Sequence, residues 1–408
     1  MDAPPIANPA PGGPLLTTPP APVQPAGTAA RRGARALLIY GGFFLLGGLL
    51  GLLILASDIR PPPSLPLPVA LLALFPLSWL HALGHELGHA LAARLVDFRV
   101  LLLAVGPLRL RATQTGARLE RSYTSRYFGG FVSAVPKDSR NLRRRRFFIV
   151  AGGPLASVLI LLLVVAGYPA VLLHSRGLAA WLYLFGVLVA ATVILTLIPY
   201  QRHGIWNDGG QMLQLARGGP VVEQQLALTL LNSALIGGVR PRDLDPALLA
   251  RALIAAQPSV VLGAHWLAYW RELDGGNIPA AAAHLDEVLA KRHLVLPPAR
   301  AAFAAEAAWL WARHGGDPAT ARAWLEQLRP AGVDESTVRR AEAAVLLAEG
   351  RKDEAREAAE AGLRLLSRSA DAGGALAERD LLEDLRAAAA AESAAGQLAG
   401  GGSQTVGL

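Results

Sequence analysis

The sequence contains no cysteine, which excludes disulfide bonds and thiolate metal ligands. Any zinc site in this chain must therefore be built from histidine and carboxylate side chains. Charged residues are also scarce, at 17% of the 408 residues, whereas hydrophobic residues make up 52%. This composition, with its positive mean hydropathy, indicates a membrane protein.

Two further signals are missing from the sequence. The formal net charge is +8, but no nucleic-acid motif and no basic surface interleaved with aromatic residues accompanies it, so we expect no nucleic-acid partner. Residues 1–35 are rich in Pro, Ala and Gly, and no A-x-A-type cleavage site follows a short apolar core there. We therefore expect this segment to be a disordered N-terminal tail and not a secretory signal peptide.

Four apolar runs are long enough to cross a lipid bilayer as helices, which takes about 20 residues. They are residues 36–56, 68–96, 147–173 and 178–200. Residues 94–146 carry thirteen Lys or Arg residues against three acids, whereas the opposite loops carry only Arg60 and Arg176. By the positive-inside rule, residues 97–146 and both termini are expected in the cytoplasm.

The second run contains His85-Glu86-Leu87-Gly88-His89, an H-E-x-x-H pattern. On a helix, His85 and His89 lie one turn apart on the same face, so both imidazoles can reach one metal ion. Glu86 is about 100° round the helix and can accept a proton near the metal without being a ligand. The alternative is that these histidines are buried polar residues bonded to neighbouring backbone. His81 lies one turn earlier, and we expect it to be a neighbour of the site and not a ligand.

The segments that follow the second and fourth runs predict further parts of this region. Residues 100–110 and 118–135 are interrupted by glycines and predict short strands of a small membrane-associated sheet. The arginine run at residues 143–146 is interpreted as an anchor at anionic lipid headgroups and not as a nucleic-acid site. After the fourth run, Asp208 precedes two glycines. It is either a helix cap in a turn or the carboxylate that a His₂-Asp zinc site needs.

From residue 218 the composition changes to that of soluble amphipathic helices. Gly276, Gly316 and Gly350 each precede an alanine by five residues, and the spacings between them are 40 and 34 residues. Because 34 residues is the tetratricopeptide period, we predict a C-terminal α-helical repeat domain over residues 218–392, followed by a disordered tail at 393–408. We favour a cytoplasmic protein partner for its concave face over packing on the membrane domain. Its tryptophans are predicted to lie in the core, at Trp266, Trp270, Trp309, Trp311 and Trp324.

Three motifs of the membrane region resemble those of the site-2 protease family of intramembrane zinc metalloproteases. They are the H-E-x-x-H pattern at residues 85–89, the glycine-proline stretch at 151–157 and the Asp-Gly-Gly segment at 197–210, in this order. Gly129-Gly130-Phe131 is similar to the glycine pair of the family's β-region, which offers an edge strand to substrate. The resemblance covers about residues 68–217.

The resemblance implies a mainly α, polytopic membrane protein with a metalloprotease domain at residues 36–217. It implies Zn²⁺ held by His85, His89 and Asp208, with Glu86 as the catalytic residue. The expected substrate is a transmembrane protein cleaved within the lipid bilayer, near its cytoplasmic side. The expected location is the bacterial plasma membrane.

Two positions depart from the family pattern. Ser157 and Thr196 stand where the family commonly has asparagine. We expect these departures to affect substrate positioning more than zinc binding.

Two other functions are compatible with the residues. A non-hydrolytic membrane scaffold would keep a structural or vestigial zinc site and use its repeat domain for assembly. A metal-ion transporter would use His81, His85 and His89. The second is the weaker alternative because the other spans lack the polar residues that a translocation path needs.

Overall fold

The computed structural model describes Leu16 and residues 65–113, 116–121, 130–202, 205–254, 257–295, 297–328 and 333–401. Most of these residues form two compact units, which we call the membrane unit (residues 65–111 and 119–218) and the helical unit (from Gly219 on). The predicted first span, residues 36–56, lies outside the described residues. Within the predicted N-terminal tail only Leu16 is described, and it is buried in the core of the helical unit, contrary to the prediction of disorder at this residue.

Within the described residues, three helices are long and apolar enough to cross a membrane. They are α1 (Leu67–Leu95), α2 (Leu142–His174) and α3 (Arg176–Leu197). They correspond to the second, third and fourth predicted spans. Helix α2 begins five residues before its predicted start and includes the arginine run. Ser175 alone separates α2 from α3, and its hydroxyl caps α3 by accepting a hydrogen bond from the Leu178 amide (3.2 Å).

Helices α1 and α2 approach each other backbone to backbone at a pair of glycines. A Cβ atom added to Gly152 would lie 2.5 Å from the Gly88 carbonyl oxygen, and one added to Gly88 would overlap the Gly152 carbonyl. Small residues allow such approaches between membrane helices. The contact places the H-E-x-x-H turn of α1 directly against the glycine-proline stretch of α2.

A four-stranded antiparallel sheet connects α1 to α2, which confirms the short strands predicted for this segment. Its strands are β1 (Phe98–Val105), β2 (Leu108–Thr113), β3 (Gly116–Arg121) and β4 (Gly130–Pro136). The strand order is β3-β2-β1-β4, so among the described strands β4 pairs with β1 alone. The register pairs Val105 with Gly130, which puts the first residue of β4 at the end of β1.

Arg145 does not behave as the headgroup anchor that the arginine run predicts. Its guanidinium donates to the Val96 carbonyl (2.7 Å), the Asp97 carbonyl (2.9 Å) and the Asp138 carboxylate (2.6 Å). Carbonyls at the end of a helix have no partner within the helix, and the planar fork of arginine donors suits them. Arg145 therefore holds the end of α1 against the start of α2.

After α3, a short hairpin of β5 (Gln201–Arg202) and β6 (Ile205–Trp206) leads to α4 (Asp208–Arg217). The helical unit then contains nine α-helices within the described residues. They are α5 (Pro220–Ile236), α6 (Pro246–Leu253), α7 (Pro258–Asp274), α8 (Ile278–Ala290), α9 (Pro297–Leu310), α10 (Pro318–Leu325), α11 (Glu335–Ala348), α12 (Lys352–Leu365) and α13 (Ala372–Gly401).

The recurring glycines and alanines have the local structure that the sequence predicts. Gly276, Gly316 and Gly350 all have positive φ angles, between +65° and +79°, which suits a turn between helices. The alanine five residues after each one is fully or almost fully buried, at positions 281, 321 and 355. The five tryptophans are buried or pack against the core. The tetratricopeptide assignment itself stays a prediction.

The predicted disordered C-terminal tail is helical over much of its length. Helix α13 continues to Gly401, so residues 393–401 are helical, and residues 402–408 lie outside the described part of the chain. The run of alanines in this helix explains the difference, because alanine has the highest helix propensity.

The core of the helical unit contains one fully buried cluster of charges. Arg340 donates to Glu306 (2.6 Å) and to Glu378 (2.9 Å), and the Tyr269 hydroxyl donates to Glu306 (2.6 Å). Among the described residues, none bonds the second carboxyl oxygen of Glu378. Two carboxyl groups therefore share one guanidinium, and burial raises the pKa of Glu378 to about 7.

We expect this cluster to make the stability of the helical unit depend on pH. The ordinary pKa of a glutamate is 4.5, so between pH 4.5 and about 7 folded Glu378 keeps a proton that the unfolded chain releases. The contribution of Glu378 to the free energy of unfolding therefore falls as pH rises through this window. Glu378→Gln should remove this fall, while the exposed Glu383→Gln on the same helix should keep it. The measurement is thermal unfolding of the full chain at pH 5 to 8, followed by tryptophan fluorescence; equal pH slopes in all three proteins would contradict the prediction.

Candidate metal centre

The residues of the H-E-x-x-H pattern are buried although α1 is apolar on most of its surface. His85, Glu86 and His89 are 7%, 7% and 9% exposed, whereas neighbouring Leu87 and Leu91 are exposed. The polar face of this turn is therefore directed into the membrane unit. Polar side chains inside a membrane protein are costly unless they find partners.

Asn207 places the third side chain of the site. Its side-chain amide donates towards the carbonyls of Leu195 (3.0 Å), Thr196 (2.9 Å) and Ile198 (2.7 Å) at the end of α3. Its carbonyl oxygen caps α4 by accepting from the Gly210 amide (3.1 Å). Asn207 therefore fixes the first residue of α4, Asp208, to the end of α3. Sequence reasoning missed this role, although asparagine before a helix start is a recognised capping signal.

His85, His89 and Asp208 converge on one point. Their carboxylate and ring atoms are separated by 3.0 Å (His85 Nε2 to Asp208 Oδ2), 3.6 Å (His89 Nε2 to Asp208 Oδ1) and 3.2 Å (between the two Nε2 atoms). Tetrahedral ligands about 2.1 Å from one zinc ion lie roughly 3.4 Å apart. The three side chains could hold a metal ion, and the structure brings together the residues that the sequence proposed as ligands.

The other ring nitrogen of each histidine is already engaged. His89 Nδ1 donates to the Ile149 carbonyl (2.8 Å), which can only accept. The Gly153 amide lies 3.2 Å from the same nitrogen, but one protonated nitrogen cannot also accept, so the shorter contact determines the tautomer. His85 Nδ1 lies 2.8 Å from Ser157 Oγ. Nε2 of His89 then presents a lone pair towards the Asp208 carboxylate, and Nε2 of His85 does the same when its Nδ1 donates to Ser157. A shared cation would stabilise this arrangement.

Gly153 keeps the space beside these atoms free. A Cβ atom at this position would overlap Nε2 of His89 and lie 2.6 Å from Nε2 of His85. Only glycine leaves both ring nitrogens accessible from the α2 side. The donor types, their spacing and this glycine all fit a zinc ion.

Glu86 lies beside the metal group and against the sheet. A Cβ atom on Gly130 would lie 2.6 Å from Oε1 of Glu86, so the start of β4 packs directly on this carboxyl group. Gly130 and Phe131 belong to β4, whereas the first residue of the predicted glycine pair, Gly129, lies outside the described residues.

Ser157 and Thr196, the two departures from the family pattern, differ in their surroundings. The Thr196 hydroxyl donates to the Thr192 carbonyl in its own helix (2.9 Å). Ser157 instead contacts a candidate zinc ligand, because its Oγ lies 2.8 Å from Nδ1 of His85. Its Oγ also lies 3.0 Å from Nε2 of His81, which agrees with the expectation that His81 neighbours the site.

Comparison with known proteins adds one match. The family model described as peptidase family M50 matches residues 73–227, a segment that contains all of these site residues and less than half of the chain. The match supports a membrane metallopeptidase in general terms. Searches of curated proteins and of solved structures found no match.

Proposed function

We propose that this protein is an intramembrane zinc metalloprotease that hydrolyses peptide bonds of transmembrane protein segments near the cytoplasmic side of the bilayer. The observation that carries the proposal is the convergence of His85, His89 and Asp208 within the reach of one ion, on and beside an apolar helix. The match to peptidase family M50 over the same residues supports it.

His85, His89 and Asp208 would hold Zn²⁺ as a His₂-Asp set of ligands. When bound, the ion supplies Lewis-acid chemistry, which polarises a peptide carbonyl and makes water a nucleophile near neutral pH. Glu86 follows the ligand His85 in the sequence but is not a ligand itself. It accepts the proton from the attacking water. It then delivers this proton to the leaving amine, as general base and afterwards general acid.

Strand β4 provides the place for the substrate backbone. A substrate helix hides its carbonyls in its own hydrogen bonds, so it must unwind before cleavage. An unwound segment can then pair with an edge strand by main-chain hydrogen bonds. Because β4 pairs with β1 on one side and its first residue, Gly130, packs on Glu86, a strand added to β4 would run past the catalytic carboxyl group.

The charge distribution supports the orientation in this proposal. The basic segment of residues 94–146 begins in the last turn of α1 and contains the sheet, so a cytoplasmic sheet places the metal group near the cytoplasmic face. Both termini then lie in the cytoplasm of a bacterial cell. The helical unit would recruit a cytoplasmic protein partner there.

The experiment is zinc analysis and proteolysis with the full chain in lipid vesicles that contain a single-pass substrate. We expect about one zinc per chain, cleavage that stops on chelation and returns with added zinc, and loss of both metal and cleavage in Asp208→Ala. Asp353→Ala, which also changes an aspartate in the first turn of a helix, is the control and should leave both unchanged. Full zinc content in Asp208→Ala, or cleavage that survives chelation, would contradict the proposal. Zinc binding without any cleavage would favour the scaffold.

A further inference from the structure

A buried chain of hydrogen bonds leads from His85 away from the metal group. Ser157 Oγ lies 2.8 Å from Nδ1 of His85 and 3.0 Å from Nε2 of His81. Ser157 is fully buried and His81 is 4% exposed. The two histidines are one turn apart on α1, and the serine that links them comes from α2.

The direction of these hydrogen bonds follows from the chemistry of the groups. If Nε2 of His85 is to carry the lone pair that a metal needs, Nδ1 must carry the proton and donate it to Ser157 Oγ. The serine hydroxyl has one proton of its own, which it can then donate to Nε2 of His81. Each link has one donor and one acceptor, so the chain His81–Ser157–His85 is internally consistent.

The packing around Ser157 shows that this hydroxyl occupies a close interface. Gly153, one turn earlier on α2, lies against the ring nitrogens of the two ligand histidines, and Ile160, on the same face, would meet a Cβ atom at Gly84 of α1 at 2.6 Å. A buried hydroxyl in such an apolar interface is unfavourable unless it is hydrogen-bonded. The only described partners of Ser157 Oγ at hydrogen-bond distance are the two histidines.

We propose that Ser157 and His81 are positioning residues, which hold the His85 ring in the Nδ1-protonated tautomer and in the orientation that the metal requires. This inference rests on the proposed function, because it concerns the affinity of the same site for zinc. Partners behind a ligand histidine typically change metal affinity 10- to 100-fold when they are removed. His81 acts through Ser157 and does not itself bind the ion.

The test is the zinc dissociation constant of the purified full chain, measured by competition with a chromophoric chelator. Ser157→Ala and His81→Leu should each weaken zinc binding roughly 10- to 100-fold. His81→Gln should stay close to the wild type, because its amide oxygen can accept from Ser157 where Nε2 did. The variant that carries both Ser157→Ala and His81→Leu should bind zinc no more weakly than Ser157→Ala alone, because both changes break the same chain of hydrogen bonds. Ser78→Ala on the same helix, whose hydroxyl bonds only to the Phe75 carbonyl among the described residues, is the control.

Three results would overturn this inference. Wild-type zinc affinity in both Ser157→Ala and His81→Leu is the first. The second is additive weakening in the double variant. The third is equal weakening in His81→Leu and His81→Gln with matching losses of melting temperature in the metal-free protein, which would indicate packing alone.

The proposed function is judged separately, by whether wild-type protein cleaves its substrate and Glu86→Gln does not. If affinity follows the predicted order while Glu86→Gln cleaves normally, the positioning role stands and the protease assignment fails. If cleavage requires zinc and Glu86 but Ser157→Ala binds zinc as tightly as the wild type, the protease assignment stands and the positioning role fails.

Discussion

Gly153→Ala is expected to abolish zinc binding and, with it, proteolysis. The added methyl group would overlap Nε2 of His89 and lie 2.6 Å from Nε2 of His85, the two atoms that must face the ion. A small shift of α2 along α1 cannot easily remove this overlap, because Gly152 of α2 already packs closely on the Gly88 backbone. Zinc content and vesicle cleavage of the purified variant provide the measurement.

Gly167→Ala is the matched control for this change. It lies on the same helix, and a Cβ atom there would have no described neighbour within 4 Å. Exchange of glycine for alanine inside a helix stabilises it by up to about 1 kcal/mol, so this variant should bind zinc and cleave as the wild type does. Full zinc content in Gly153→Ala would show that the ion is held elsewhere.

Glu86→Gln is expected to keep zinc and lose cleavage. Glutamine has nearly the same shape as glutamate, so the contact with Gly130 and the packing of β4 should be preserved. It cannot accept and return a proton, and removal of a general base typically costs 10²- to 10⁴-fold in rate. The turnover of a single-pass substrate in vesicles, measured beside the zinc content, separates the two effects.

Glu223→Gln serves as the control for Glu86→Gln, since it makes the same chemical change at an exposed position in the first turn of α5. Unchanged cleavage in Glu86→Gln would remove this residue from catalysis. Loss of zinc in Glu86→Gln would instead indicate that the carboxylate supports the metal group directly. Absence of cleavage in the wild type, with zinc present, would leave the scaffold as the function.

The sequence predicted the part of the site that depends on local geometry. His85, Glu86 and His89 share one helical turn, so their relation follows from helix periodicity alone. Asp208 is 123 residues from His85 in the sequence. That the two lie close together was predicted with the help of the resemblance to a family, and not from local geometry. The strands of the sheet were predictable because glycines divide this segment into short runs.

Contacts between elements were beyond the reach of sequence patterns. Ser157 and His81 are 76 residues apart, and nothing in either segment indicates that a hydroxyl from one helix bonds an imidazole of another. Four consecutive arginines look alike in sequence, yet Arg145 is directed inward because carbonyls at the end of α1 lie within its reach. The role of Asn207 likewise depends on where α3 ends.

The attachment of Asn207 to α3 has a mechanical consequence. Asp208 follows Asn207 directly, and Asn207 is bonded to the carbonyls that terminate the third membrane helix. The carboxylate must therefore travel with that helix, while the two imidazoles stay with the first. A lateral displacement of α3 would move Asp208 away from His85 and His89, so we expect the affinity of the site for zinc to depend on how α3 packs against its neighbours in the membrane.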